Sequence, residues 1–315
     1  MLFIGPTPLA GIGQCMLKYL DIFPDSKYLE LGHVTKEACQ GAEIFMFPLP
    51  IEPWLSMIPQ IKELAKSIIC MTICETETVH EDYGKLFAMF ENIAVSSEYC
   101  KRVFSKQFPD TQFHIIRAYV PVPGSNARGV VPPSSTYRFY HIGNILDQRK
   151  NVNDILRAFT DLNLSDCELI IKATCKQDVK IEHPKIKVIN GLLEQDKIDQ
   201  IHTMCDCYVS FSNSEGIGLG AVEAALRNKP VILPEYGGAP DYIRSDYMIS
   251  CGTQEVPHDD FLFKKGMIWG KPNFEQLKEF MLDVYTKKVR EVDHSFTRQR
   301  VSKEEISEQF KAFPR

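Results

Sequence analysis

Short apolar runs recur along the chain, each closing on a polar or glycine turn and followed by a stretch with helical spacing. In the first part these runs are Leu2–Ile4, Lys27–Leu31, Ile44–Pro48, Ser67–Ile73, Ile93–Val95 and His114–Val120. In the second they are Tyr137–Ile142, Glu168–Ala173, Ile186–Ile189, Cys207–Phe211, Pro230–Leu233 and Tyr247–Cys251. Amphipathic stretches lie between several of them: Gly13–Leu20, Pro59–Lys66, Ser97–Ser105, Asn153–Asp161, Glu194–Met204 and Gly220–Asn228. Alternating strand and helix signals predict an α/β protein with parallel sheets covered by helices. Pro121–Ser135, rich in Pro, Gly and Ser, reads as a linker. The pattern therefore predicts two Rossmann-like domains, 1–125 and 134–290, facing a cleft, with one large doubly wound domain as the alternative. The tail, 291–315, is charged and helical. Phe274–Tyr285 precedes it with apolar positions at helical spacing, and within it Ser302 and Glu305 match a capping box at the start of Ser302–Phe310.

Composition narrows the function classes. The chain has 315 residues, 44% hydrophobic and 24% charged, which is a globular balance with room for two domains. A net charge of −5 gives no overall footprint for nucleic acid, so none is expected as a partner. The ten cysteines are scattered, mostly within apolar runs, and no C-x-x-C pair suggests zinc. That usage points to a reducing, cytoplasmic compartment. Met1–Pro6 reads as a first strand and not as a signal peptide, and no apolar run approaches a membrane span. Nothing in the pattern fixes an oligomeric state.

The densest chemistry lies in Asn213–Pro240, N-S-E-G-I-G-L-G-A-V-E-A-A-L-R-N-K-P-V-I-L-P-E-Y-G-G-A-P. Glu215 and Glu223 bracket a glycine-rich turn that runs into an Ala-rich helical segment. Such a turn presents backbone N–H groups at a helix N-terminus, where they attract phosphate. Carboxylates are good acceptors for sugar hydroxyls. A ligand carrying both a phosphate and several hydroxyls, such as a nucleotide sugar, fits both features. The plainer reading is a surface acid plus an acid that favours the helix dipole.

Ser214–Ala224 resembles the E-x7-E signature of retaining, nucleotide-sugar-dependent glycosyltransferases of the GT-B fold, the glycosyl transferases group 1 family, with Ile217 in place of the usual Phe. Val231–Ile243 resembles that family's next strand and G-G-x-P-E loop, with Asp241 for Glu. The resemblance implies that Glu215 contacts the donor sugar and Glu223 the ribose hydroxyls. Gly216, Gly218, Leu219 and Gly220 would form the turn facing the diphosphate. It also implies a C-terminal helix crossing back to the first domain.

Upstream, Phe139–Phe159 ends a strand at Gly143, carries Arg149 and Lys150 on a loop, and continues into an amphipathic helix. Cations there would neutralise a diphosphate leaving group, although a solvated Arg-Lys turn is commoner. The family has G-R-x-x-x-x-K here. Lys150 matches the Lys, Asn144 stands where the Arg is expected, and Arg149 is the candidate substitute. Lys172 replaces family glycines at the end of the next strand, where it either reaches phosphate or caps the strand. Asn190 and Leu192 fall in the segment whose backbone reads the base. Gly11 and Gly13, in the loop after the first strand, gain weight as donor-site residues only from the resemblance. So does His80, near the donor's C6 hydroxyl. Glu75, Glu77, Arg117 and Tyr119 are further cleft candidates.

The resemblance thus implies a metal-independent retaining glycosyltransferase without a cofactor. It would use a donor such as a UDP- or GDP-sugar and a glycan, lipid-linked or protein acceptor hydroxyl. For such an enzyme the chain is short, and a trimmed N-terminal domain is expected. The alternatives are a non-catalytic GT-B-like sugar- or nucleotide-binding protein and, from the Rossmann-like halves alone, an NAD-type oxidoreductase. The latter lacks a G-x-G-x-x-G with a following ribose acid.

Overall fold

The computed structural model describes residues 1–8, 11–123, 135–175 and 177–314. Most of the linker read at Pro121–Ser135, and with it the ends of the two expected domains at 125 and 134, lies outside the described residues. So do Leu9 and Ala10 of the N-terminal loop. The chain forms two compact units. The first comprises Met1–Pro121, Glu255–Ile268 and Gln299–Arg315; the second comprises Val122–Gln254 and Trp269–Arg298.

The first unit holds a six-stranded parallel sheet in the order β2-β1-β3-β4-β5-β6. Its strands are β1 (Leu2–Gly5), β2 (Lys27–Glu30), β3 (Glu43–Met46), β4 (Ser67–Thr72), β5 (Asn92–Val95) and β6 (Gln112–Ile115). The last apolar run was expected to carry its strand to Val120; pairing with β5 stops at Ile115. Helix Glu52–Leu64 starts well before Pro59, where the sequence suggests a beginning, and runs through that proline. A proline inside a helix removes one hydrogen bond. Here Trp54, Leu55, Ile58 and Ile61, at helical spacing, are all buried, and that burial offsets the loss.

The core of this unit is aromatic and is closed by the end of the chain. Phe310, on helix Lys303–Ala312, packs with ring centroids 4.9 Å from Phe45, 5.0 Å from Phe23 and 5.6 Å from Tyr19. Ser302 caps that helix, its Oγ accepting from the Glu305 amide at 3.2 Å. Arg117 ties it down. The Arg117 amide donates to Gln309 Oε1 at 2.7 Å, and its buried guanidinium lies 3.8 Å from Glu305 and 3.8 Å from Glu98. The excursion Glu255–Ile268, sequence-wise inside the range expected for the second domain, groups with this unit, where the Glu77 amide donates to the Ile268 carbonyl at 2.8 Å.

The second unit holds another six-stranded parallel sheet, in the order β12-β11-β10-β7-β8-β9. The strands are β7 (Tyr137–Gly143), β8 (Cys167–Ala173), β9 (Ile186–Ile189), β10 (Cys207–Val209), β11 (Val231–Pro234) and β12 (Met248–Ile249). Strand order winds outward in both directions from the β7–β10 pair, so the switch point of the sheet lies there. In the first sheet it lies between β1 and β3. Phe139, Leu169 and Val209 of the sheet pack with Ile155 and Phe159 of helix Val152–Leu162 and with Leu277 and Met281 of helix Phe274–Thr286. A ribbon of β13 (Cys251–Glu255) and β14 (Ile268–Pro272) has no counterpart in the sequence reading, because its residues do not alternate apolar with polar. Among the described residues no cysteine forms a disulfide, and eight of the ten are buried. Among the described residues no helix is long and apolar enough to cross a membrane.

Phe310→Ala removes the ring on which three other aromatic residues of the first unit converge. It should destabilise the protein by about 3–5 kcal/mol, the usual cost of a large-to-small core change, as measured by urea unfolding.

Candidate functional site

Two loops leave the carboxyl ends of β7 and β10, the central strands of the second sheet, and are stitched together by side chains. The β7 loop makes a short turn at Gln148–Lys150. Asp147 caps it, accepting the Arg149 amide at 3.0 Å, and Asn151 ends it in the left-handed region (φ 49°). Arg149 is only 8% exposed. One of its terminal nitrogens bonds Asp147 Oδ2 at 2.9 Å, the other donates to the Ser214 carbonyl, and its own carbonyl accepts the Asn213 amide at 2.8 Å. Asn151 Nδ2 donates to Asn213 Oδ1 at 2.6 Å and to the Phe211 carbonyl at 3.2 Å.

Glu215 sits where the two loops meet. Its Oε1 accepts from Lys150 Nζ at 2.5 Å and from Ser212 Oγ at 2.6 Å, and its Oε2 lies 3.3 Å from Arg149. Burial pushes its carboxyl up. Lys150 and Arg149 outweigh that and, with Ser212, lower it from 4.5 to about 2. The G-G-A-P loop closes against the same residue. The Gly238 amide donates to the Glu215 carbonyl at 2.7 Å. Gly237 adopts φ +79°, and a Cβ there would lie 2.6 Å from Ser214 Oγ and 2.7 Å from the Glu215 carbonyl, so only glycine fits.

Helix Leu219–Ala225 starts at Gly218, and its first turn faces a pocket lined by Lys150, Ser212, Glu215, Gly218, Leu219 and Gly220 together with Ile142, Tyr208, Ser210 and Tyr236. A Cβ on Gly220 would lie 2.5 Å from the Tyr208 hydroxyl; the glycine lets that ring under the helix. Glu223, one turn on, has its Oε2 3.7 Å from Nε2 of the fully buried His202. Beneath this turn lies a layer of rings. Tyr140 meets His202 and Tyr208 edge-on with centroids 5.4 and 5.1 Å apart, and His141 stacks on Tyr208. Burial drives His141 down to about 4, and its Nδ1 donates to the Val209 carbonyl at 2.9 Å.

Of the residues singled out from sequence, Lys150, Glu215, Gly218, Leu219 and Gly220 share this pocket. Arg149 does not line it: its guanidinium braces the two loops, whereas the sequence suggests a phosphate ligand. Lys172 is buried and donates to the carbonyls of Ala173 and Gly191, so it caps the strand end. Burial lowers its pKa. Asn144 folds onto its own loop, accepting the Leu146 amide at 3.2 Å, and Gly143 packs against the His141 ring. Asn190 holds both backbone groups of Val179, at 2.9 and 3.0 Å, and Leu192 is 61% exposed. Gly216 lies buried in the turn behind Glu215.

His80, Gly11 and Gly13 belong to the first unit, whereas the pocket is built wholly from the second. His80 Nδ1 accepts from the Asp82 amide at 3.2 Å. Gly11 begins helix Gly11–Lys18, and a Cβ on Gly13 would lie 2.2 Å from the Thr7 carbonyl. Glu77 is spent on Arg102, with contacts of 3.0 and 3.1 Å.

The sequence reading missed Tyr208, Ser210 and Ser212. Their signal is period-two spacing at the end of an apolar run, which turns every second side chain toward the pocket.

Residues 129–269 match the family described as "Glycosyl transferases group 1", the family that the E-x7-E motif resembles. The chain has the GT-B fold. It is similar to a glycosyltransferase from Rickettsia africae, with TM-score 0.63 and 12% identity over 99% of this chain and 93% of that one. It also resembles the pneumococcal O-GlcNAc transferase GtfA, solved with UDP and GlcNAc, with TM-score 0.58 and 16% identity. That likeness covers 86% of this chain but 56% of GtfA, so the chain spans little more than half of it. The α,α-trehalose 6-phosphate synthase of Burkholderia multivorans is similar with TM-score 0.57 and 11% identity, over 87% of this chain and 68% of that one. No curated protein matches by sequence. Within this GT-B chain the pocket falls at the switch point between β7 and β10, where open α/β sheets bind their ligands.

Because the Glu215 carboxyl titrates lower in the folded chain than in the unfolded one, its contribution is complete above pH 4.5 and is lost as pH falls toward 2. Between pH 6 and pH 3 that loss should be about 2 kcal/mol, and Glu215→Gln should remove this part of the pH dependence. Urea titrations of both proteins at the two pH values check it.

Proposed function

We propose that the chain is a retaining glycosyltransferase that moves a sugar from a nucleotide-diphosphate sugar to an acceptor hydroxyl without a metal ion. The observation that carries this reading is the convergence of Lys150, Glu215 and the Gly218–Gly220 turn on one pocket at a sheet switch point, with Glu223 on the same short helix. Lys150 and the turn supply positive potential for the diphosphate. Glu215 supplies acceptors for sugar hydroxyls, and Glu223 acceptors for the ribose.

In the reaction, the bond between the anomeric carbon and the β-phosphate oxygen breaks. The acceptor oxygen bonds to that carbon on the same face, and its proton passes to the departing phosphate oxygen. Lys150 stabilises the charge that builds on the phosphate, which is where differential binding accelerates the step. Arg149 acts indirectly, by holding Glu215 and the two loops in register.

A non-catalytic nucleotide-sugar-binding protein is the second reading. It is favoured by Asn144 in place of the family arginine and by the commitment of Arg149 to protein partners. The two readings separate in one experiment. A panel of nucleotide sugars is screened by thermal shift, and each binder is then assayed for hydrolysis and transfer. The transferase reading expects turnover. Stabilisation with no release of nucleoside diphosphate, with or without acceptors, would favour the binding protein.

Two substitutions test the roles. Lys150→Ala should lower turnover about 10²-fold, the scale for losing one charge-stabilising donor; an unchanged kcat would remove Lys150 from the mechanism. Glu223→Ala should weaken nucleotide binding by about tenfold, the loss expected from one set of charge-assisted hydrogen bonds. Calorimetry reads the latter directly.

A further inference from the structure

The layer beneath Glu223 has a directionality that the proposed reaction does not by itself require. His202, on helix Gln195–Met204, and Tyr140, on β7, are both fully buried. The Tyr140 hydroxyl lies 2.8 Å from His202 Nδ1 and has no other partner among the described residues. Burial raises the pKa of this phenol far above its usual value, so it keeps its proton. With Nδ1 as its one acceptor, the hydroxyl donates there. The ring must then carry its own proton on Nε2, the nitrogen 3.7 Å from Glu223 Oε2.

The other groups around the ring leave this arrangement intact. Arg227, on the far side, is committed to Asp199 and to the Glu223 carbonyl. Burial, with Arg227, lowers the pKa of His202 against the opposing pull of Glu223 and Asp199, which favours a neutral ring. At 3.7 Å this buried N–H lies just beyond hydrogen-bond distance and has no hydrogen-bond partner among the described residues, so it biases the nearby carboxylate electrostatically without neutralising it. The Glu223 side chain is 14% exposed, so its carboxylate is held from inside while part of it reaches solvent.

We propose that His202, braced by Tyr140, is a positioning residue that fixes the Glu223 carboxylate for two-point recognition of a ribose 2′,3′-diol, so that selectivity for ribonucleotides is set in the layer beneath the site. The proposal rests on the reading of Glu223 as the ribose contact. A vicinal diol needs both acceptor directions of a carboxylate at fixed orientation. A 2′-deoxyribose offers one hydroxyl and gains little from that orientation.

The test compares UDP, GDP and ADP with their 2′-deoxy forms, by calorimetry, on the wild type and four variants. The ribo-to-deoxy affinity ratio is the readout, because a general loss of packing weakens both ligands alike. Glu223→Gln should collapse the ratio. His202→Phe should reduce it about fivefold, the scale of one net N–H-to-oxygen interaction that forms as the carboxylate closes on the diol. Tyr140→Phe, which keeps the ring and should fold, should reduce it less. His202→Gln, whose amide N–H takes the place of Nε2–H, should restore most of it. A wild-type ratio in His202→Phe and Tyr140→Phe, with Glu223→Gln impaired, would overturn the positioning role and leave the ribose reading standing. A wild-type ratio in Glu223→Gln would overturn the ribose reading and the positioning role with it. Independently, 15N chemical shifts of His202 should report the Nε2–H tautomer; an Nδ1–H ring would overturn the proposal even if a variant failed to fold.

Discussion

The second unit is organised around one mostly enclosed carboxylate. Glu215 gathers Lys150, Arg149 and Ser212 from two loops, and the G-G-A-P loop closes on its backbone. Taking a carboxylate out of water is unfavourable unless cations and donors replace the solvent. Once they do, removing any partner leaves a buried charge exposed to that penalty. The interaction therefore ties the loops after β7 and β10 to each other. Every pocket-lining group on those loops inherits its place from that tie.

Division of labour among the cations follows from burial. Arg149 has a planar fork that satisfies a carboxylate, a carbonyl and Glu215 at once, which suits a brace. Lys150 has a single ammonium on a flexible stem and lines the pocket. In the proposed reaction a donor phosphate would compete with Glu215 for that ammonium, so the same lysine would be a structural partner in one state and a ligand contact in the other. Lys172 illustrates the opposite outcome. Enclosed under strand-end carbonyls, it has no route to a ligand without breaking both bonds.

Much of this was legible in the sequence, for identifiable reasons. Parallel sheet strands leave apolar runs that need no knowledge of partners, and each of the twelve runs overlaps a strand, His114–Val120 only at its first two residues. That Glu215 and the glycine turn share one pocket was legible because they are contiguous. The burial of Arg149 was not legible because its partner Asp147 lies two positions away, a spacing that looks like a polar turn. Tyr140 and His202 were invisible. Each sits in its own helix or strand, 62 positions apart, and reads as ordinary core. Pro59 shows the same limit in backbone terms: local preference pointed to a boundary, and four buried apolar side chains overrode it.

The first unit is discontinuous, and its aromatic core is completed only by Phe310. During synthesis the second unit has all of its segments once Arg298 has emerged, while the first still lacks the helix that closes it. The first unit's segments are thus complete only after those of the second, against the usual N-to-C order. Phe23, Phe45 and Tyr19 lack Phe310 until helix Lys303–Ala312 has been made. A truncation near the C-terminus would consequently be felt at the opposite end of the sequence.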